Sequence, residues 1–224
     1  MLIKGLNKEV EEGSFITIIG NEKVLKSFFS EESCSYVINR YLNIFNGETV
    51  LDEIAFGLES KALKKDLIKR IIEDYSKKFG LTSLLNKDPF SLGSSDKVKL
   101  KLCNALAQRT KSIVLCDVLS ELDNEDLEKC LKLLKEYNEK GGIIINITSN
   151  IEEALYGNDL IIYNGENIAI EGKTLSVLNE EKILKRLGIG LPFYIELSKY
   201  LIDYNLIDTY YLTPESLVGA IWKK

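Results

Sequence analysis

Apolar positions along the chain fall into two kinds of run. Residues 15–19 (FITII) form a compact β-branched run ending in Gly20, which predicts a buried strand. Residues 35–38 predict a second, weaker strand. From Thr49 to about Gly80 the period becomes helical, with Leu63, Ile68, Ile71 and Ile72 set among lysines and acids. A further helix is predicted over Asp96–Ala107, where Val98, Leu102 and Leu106 recur at helical spacing. Residues 112–116 (SIVLC) predict another strand. Asp123-Asn124 can cap the helix after it, in which Leu127, Leu131 and Leu134 line one face and which Gly141-Gly142 ends. Residues 143–148 predict a third buried strand. Residues 160–163 and 168–170 flank Asn164-Gly165, a strong hairpin-turn signal. Beyond Lys173 the pattern is one of short helices.

Apolar strands separated by long helices predict an α/β domain with a mainly parallel sheet. Ligands of such sheets bind beyond the carboxyl ends of the strands, so chemistry is expected in the loops after Ile19, Cys116 and Thr148. A length of 224 residues suffices for one domain of ordinary size plus a small appendage. With 45% hydrophobic and 28% charged residues the chain is ordinary for a globular protein, which argues against disorder. The net charge of -5 comes from intermixed signs with no basic block, so nucleic acid is not an expected partner. No apolar run approaches the ~20 residues of a membrane span. Met1–Glu12 is charged and lacks the apolar core of a signal peptide. A cytoplasmic location is therefore expected, with any membrane role supplied by a partner. The four cysteines form no C-x-x-C pair and are expected to be reduced, buried thiols. The absence of histidine removes His-based triads and His-based zinc sites.

Several segments occur in a telling order. Gly20 at a strand end, followed by Lys26-Ser27, resembles a P-loop, G-x-x-x-x-G-K-[ST], whose backbone N–H groups wrap phosphates and whose Lys and Ser/Thr reach phosphate and magnesium. Residues 89–96 (PFSLGSSD) occupy the place of an ABC signature, P-x-x-L-S-G-G-Q. Residues 113–123 (IVLCDVLSELD) resemble the Walker B and D-loop stretch h-h-L-D-E-P-T-S-A-L-D. Residues 144–159 resemble the switch segment, V-T-H-D followed by an E-E-A helix. Residues 46–60 are similar to the segment after the Q-loop in energy-coupling-factor ATPases. The tail, with Gly190-Leu191-Pro192-Phe193, Glu196, Leu212-Thr213 and Trp222, resembles the C-terminal extension peculiar to those subunits. The chain is thus identified as resembling the ATP-binding subunits of energy-coupling-factor transporters over nearly its whole length.

The departures from the family pattern fall on the chemistry. The inner P-loop glycines are replaced by Lys23 and Leu25, where backbone freedom and close approach to phosphate are needed. A non-Gly residue held at positive φ costs about 1–3 kcal/mol. The Walker B aspartate position is Cys116, a poor outer-shell partner for magnesium, which is a hard ion. Asp117 stands at the catalytic-glutamate position, one methylene short, enough to misplace an attacking water by more than about an ångström. Ser149 takes the switch-histidine position and Asn39 the Q-loop position. The signature reads Leu92-Gly93-Ser94-Ser95-Asp96, and Asp96 near a γ-phosphate is repulsive. The family's N-terminal strand, with its adenine-stacking aromatic, is expected to be missing. Only eleven residues separate Ser27 from Asn39, where the family places most of a helix and a small antiparallel sheet.

The resemblance implies a P-loop NTPase fold of the ABC type: an ATPase-like domain over residues 1–187, a helical subdomain at about 48–108, and a C-terminal helical extension over 188–224. It assigns nucleotide binding to Gly20, Lys23, Lys26 and Ser27, with Ser27 also toward magnesium. It assigns the catalytic positions to Asp117, Ser149 and Asn39, and the D-loop positions to Ser120 and Asp123. The implied cofactors are ATP and Mg, held weakly. The implied partners are a second ABC ATPase, a transmembrane coupling protein and a substrate-binding membrane subunit, on the inner face of the membrane. The implied function is import of vitamins or metal ions by a subunit with impaired hydrolysis. Two alternatives stay open: an active, divergent ATPase, and a free-standing interaction module. Residue by residue, plainer readings also stand. Lys26-Ser27 equally fit an exposed helix start, Asp117 a solvated acid, and Asp52 and Glu53 either solvated helix charges or contacts to a basic helix of a membrane partner. Trp222 suggests burial against this domain or a partner.

Overall fold

The computed structural model of the protein describes residues 2–3, 8–20, 24–25, 34–61, 63–165 and 167–222. These residues form two compact units: Met1–Phe15 with Glu22–Ile147, and Ile16–Asn21 with Thr148–Lys224. The chain enters the second unit at the first predicted strand and returns to it after the third.

In the first unit three β-branched runs become parallel strands. β4 (Cys34–Ile38) pairs with β5 (Ser112–Cys116), and β5 pairs with β6 (Ile143–Thr148), in register Cys34↔Ser112↔Ile143. Every residue of β5 and β6 is buried, which explains their apolar runs, interrupted in β6 only by buried Asn146 and ended by Thr148. A short antiparallel ladder, β1 (Leu2–Ile3) with β2 (Lys8–Glu9), precedes β3 (Phe15–Ile19). No strand was expected there. No aromatic residue precedes Phe15 in the sequence.

The helical pattern of residues 49–80 resolves into two helices. α1 (Val50–Glu59) starts on a capping box in which Thr49 and Asp52 satisfy each other's backbone N–H groups. It stops where the Ser60 hydroxyl turns back to the carbonyl of Gly57, at 3.0 Å. α2 (Lys65–Lys78) then begins from Lys64 in extended geometry and buries Ile68, Ile71 and Ile72. Both pack on α3 (Ser94–Ala107), which also packs on β4 and on α4 (Asn124–Glu139). Surrounded in this way, α3 buries Leu100, Cys103 and Ala105 besides the three residues whose spacing announced it. Asp123 caps α4 by accepting from the N–H of Asp126, at 2.9 Å. The stripe of α4 is centred on Cys130 and Leu134, with Leu127 and Leu131 half-buried beside it.

The second unit holds β3, parallel to β7 (Asp159–Tyr163), and β8 (Ile168–Lys173), antiparallel to β7. The predicted turn between β7 and β8 has Gly165 at φ +99, a value that Gly alone adopts without strain. The core of this unit gathers Ile19, Ala154, Leu160 and Ile162 with Val177 and Leu178 of α5 (Thr174–Leu178), Leu184 of α6 (Glu181–Arg186) and Ile195 of α7 (Phe193–Asp203). Buried Ser198 of α7 accepts the N–H of Tyr211 at 3.0 Å and donates to its carbonyl at 3.3 Å, fastening the segment that leads into α8 (Pro214–Ile221). Trp222 is 83% exposed, so the described residues do not provide its burial. Among the described residues no helix is long and apolar enough to cross a membrane.

Gly47 lies tight against the start of α1: a Cβ there would sit 2.3 Å from the backbone nitrogen of Glu53 and 2.7 Å from the carbonyl carbon of Asp52. Backbone atoms cannot swing aside as a side chain can. Gly47→Ala is therefore expected to destabilise the protein by about 1–3 kcal/mol, read as a lowered urea midpoint with an unchanged slope.

Candidate functional site

In the first unit, the carboxyl ends of β4 and β5 bring together Asn39, Cys116, Asp117 and Glu121. Asn39 follows β4 directly. Its side-chain amide donates to the carbonyl of Asp117 at 2.8 Å and to the carboxylate of Glu121 at 3.0 Å. The Q-loop position is thereby tied to the Walker B and D-loop positions. Glu121 was not singled out from the sequence. It stands where the D-loop pattern carries a small residue, and that mismatch was the available signal.

Asp117 adopts φ +50, one of three non-glycine residues in the left-handed region among the described residues. Its N–H donates to the carbonyl of Ile147 at 2.9 Å, which helps to hold this conformation. The thiol of Cys116, 1% exposed, donates to the Asp117 carboxylate at 3.8 Å, a sulfur-length contact. The carboxylate at the catalytic-glutamate position is therefore engaged by its own neighbour. Ser120, on the following turn, is exposed, and Asp123 is used as the cap of α4.

The signature segment also lies in this unit. Pro89–Ser91 forms a 3-10 turn capped by Asp88, Leu92 is buried, and Gly93 caps α3. Ser94 is exposed. Ser95 donates to Asp126 at 2.8 Å, while the ammonium of Lys99 lies 2.7 Å from both Asp96 and Asp126. The repulsion expected of Asp96 is thus offset by a cation one turn along its own helix. Burial of Asp126 alone would raise its pKa, but hydrogen bonds from Lys99 and Ser95 and the Lys99 charge outweigh it and hold the carboxyl below the ordinary range. Lys99 is shifted up: burial acts against it, and its bonds to Asp126 and Asp96 prevail.

The two acids at the head of α1 part company. Asp52 is exposed in the capping box. Glu53 is 4% exposed and accepts the N–H groups of Asn46 and Gly47 at 2.8 and 3.1 Å and the Lys101 ammonium at 2.9 Å. The reading of Glu53 as a surface contact for a partner is corrected: its carboxylate is spent inside the helical layer, because a buried charge demands such partners.

Of the P-loop positions, Lys23, Lys26 and Ser27 lie outside the described residues. Leu25, at an inner-glycine position, is fully buried beside buried Val24. In the second unit the N–H of Gly20 donates to the carbonyl of Thr148 at 3.0 Å. Ser149 follows, exposed, and then Asn150, whose side chain accepts from Glu152 and caps the 3-10 turn Ile151–Tyr156. The first P-loop position and the switch position thus adjoin. Among the described residues no group of three or more His, Cys, Asp or Glu side chains could hold a metal ion.

The comparisons with known proteins fit this arrangement. The energy-coupling factor transporter ATP-binding protein EcfA1 of Mycoplasma mobile is 32% identical over 195 residues, covering 86% of this chain and 69% of the relative. The chain belongs to the energy-coupling factor transporter ATP-binding proteins. The EcfA1 of Mycoplasma pneumoniae is 27% identical over 252 residues, covering all of this chain and 92% of its own length. That of Mycoplasmopsis pulmonis is 34% identical over 160 residues, though the match spans only 60% of its length. No protein-family model matches the chain. Among solved structures, cbiO1 of Clostridium perfringens, part of the ABC transporter complex cbiONQ, aligns with TM-score 0.67 at 21% identity over 85% of this chain and 89% of that one. A dimeric ATP-binding cassette bound to ADP and Pi in a post-hydrolysis state aligns with TM-score 0.66 at 20% identity, covering 75% of this chain and 89% of that one. The fold is therefore that of an ABC ATPase, a P-loop NTPase fold.

The Lys99–Asp126 contact makes a pH-dependent prediction. A depressed carboxyl pKa contributes stability that is present above the unfolded value, about 3.9, and is lost as pH falls through the lower folded value. Asp126→Asn is expected to cost about 1–3 kcal/mol at pH 7. The gap between variant and parent should then narrow as pH drops below about 4. Urea denaturation from pH 3 to pH 7 checks it, and a gap that stays constant would contradict it.

Proposed function

We propose that this chain is a pseudo-ATPase subunit of an energy-coupling-factor importer for vitamins or metal ions. Its ATPase-like domain is residues 1–187, with the helical subdomain at about 48–108, and its extension is residues 188–224. It pairs with a second ABC ATPase, which supplies the turnover. It docks on a transmembrane coupling protein that also carries the substrate-binding membrane subunit, at the inner face of the membrane.

The observation that carries this reading is the tie between Asn39 and both Asp117 and Glu121, with the Cys116 thiol against Asp117. Phosphoryl transfer depends on positioning and on magnesium held by oxygen ligands. A thiol at the Walker B aspartate, an engaged carboxylate at φ +50 and a serine in place of the switch histidine do not fit that requirement. No step of hydrolysis is assigned to these residues. Pairing is supported by the exposed apolar side chains of the extension, Tyr204, Val218, Ile221 and Trp222.

The purified chain alone is expected to hydrolyse ATP no faster than buffer. Its melting temperature should rise by less than about 2 °C in millimolar Mg-ATP. Coexpressed with an intact ATPase of the same family and its coupling protein, it should copurify with both. Paired Ile221→Ser and Trp222→Ser substitutions should weaken that association about tenfold or more. Magnesium-dependent turnover by the isolated chain, at about 1 per second or faster, would overturn the reading.

A further inference from the structure

At the amino ends of β5 and β6, away from Asn39 and Asp117, the first unit carries an open cavity of about 800 Å³. This is the size of a small-molecule site. Its apolar wall is formed by Leu106, Leu133 and Ile143, and Tyr75 and Tyr137 add aromatic surface. Tyr137 is half-buried, its hydroxyl donating to the carbonyl of Thr110 at 2.7 Å, and burial pushes its pKa up to about 12, so the phenol is neutral. The ring is held in place and its polar end is already satisfied.

The charges around this wall are unevenly matched. Four cations line it, Lys78, Arg109, Lys111 and Lys140, and three acids, Glu12, Asp74 and Glu136. Lys78 takes up one of the acids. It bonds to Asp74 at 2.7 Å, and its pKa is raised first by that bond and also by the nearby Glu136 charge. Glu12 and Glu136 are then the two acids left for the three cations Arg109, Lys111 and Lys140. All three cations are exposed and none makes a side-chain ion pair among the described residues. Arg109 is presented from a backbone at φ +51, immediately after α3.

We propose that this cavity binds a small amphiphilic anion: a ring or apolar body against Leu106, Leu133, Tyr75 and Tyr137, and a carboxylate, sulfonate or phosphate at Arg109, Lys111 and Lys140. Guanidinium and ammonium groups suit such anions through charge-assisted hydrogen bonds. The competing explanation is that the cations only offset the carboxyl ends of α2, α3 and α4, which all finish beside the cavity. That explanation provides no reason for a saturable site.

The probe is anilinonaphthalene sulfonate, an aromatic anion whose fluorescence rises in apolar surroundings, titrated into the full chain. Saturable binding is expected, weakening with added salt. The neutral N-phenylnaphthylamine should bind more weakly. The double variant Arg109→Asn, Lys111→Gln should lose about tenfold in affinity, as expected for two charge-assisted contacts. Asn tolerates the left-handed backbone, and circular dichroism confirms that the variant is folded. Trp222→Ser, which alters the exposed apolar surface of the extension, should leave affinity unchanged. No saturable binding, or binding that follows Trp222 rather than Arg109 and Lys111, would overturn the proposal.

Discussion

A carboxylate taken out of water must be surrounded by donors, and Glu53 sets the helical layer of the first unit on that condition. Its oxygens accept two backbone N–H groups, from Asn46 and Gly47, and the ammonium of Lys101. Lys101 in turn reaches the carbonyl of Ile44 and lies 4.3 Å from the centre of the Phe45 ring. One buried charge thus fixes the path of the chain from β4 into α1 and presses that path onto α3. The tight fit of Gly47 follows, since the loop must come close enough for its N–H groups to reach the carboxylate. Family ATPases carry the Q-loop at the start of this same segment. Here that start is Asn39, and it too is held by acceptors within its own unit.

The chemical ends of the strands share a feature. Several groups at the positions the family resemblance assigns to chemistry make contacts within the protein. Asn39 bonds a carbonyl and a carboxylate, Cys116 a carboxylate, Ser95 and Asp96 an aspartate and a lysine. Leu25 fills core where a glycine would leave room. Several of the substituted positions thus make contacts within the protein, while Ser149 stays exposed. A side chain already satisfied by protein must give up that contact before it can serve a phosphate.

The sequence foretold strands better than helices, for a physical reason. β5 and β6 are buried on both faces, so apolar residues dominate both and their runs are easily read. α3 is buried on nearly every side, and its spacing announced only Val98, Leu102 and Leu106 of seven buried residues. The break between α1 and α2 depended on one serine hydroxyl returning to a carbonyl. At the site, the positions of Asn39 and Asp117 were legible from motif order. Their joint bond with Glu121 was not, because it spans some eighty residues and no local pattern encodes it. Glu53 looked like any acid at a helix start. Only the fold reveals that it is enclosed.

The missing imidazole has an effect on the whole molecule. Between pH 5 and 8 histidine is the side chain that ordinarily gains or loses charge, and this chain has none. Two of its thiols, Cys103 and Cys130, are pushed further from that window by burial. Over the range in which cells and their surroundings differ in acidity, no imidazole of this chain can change the charge it presents to a partner.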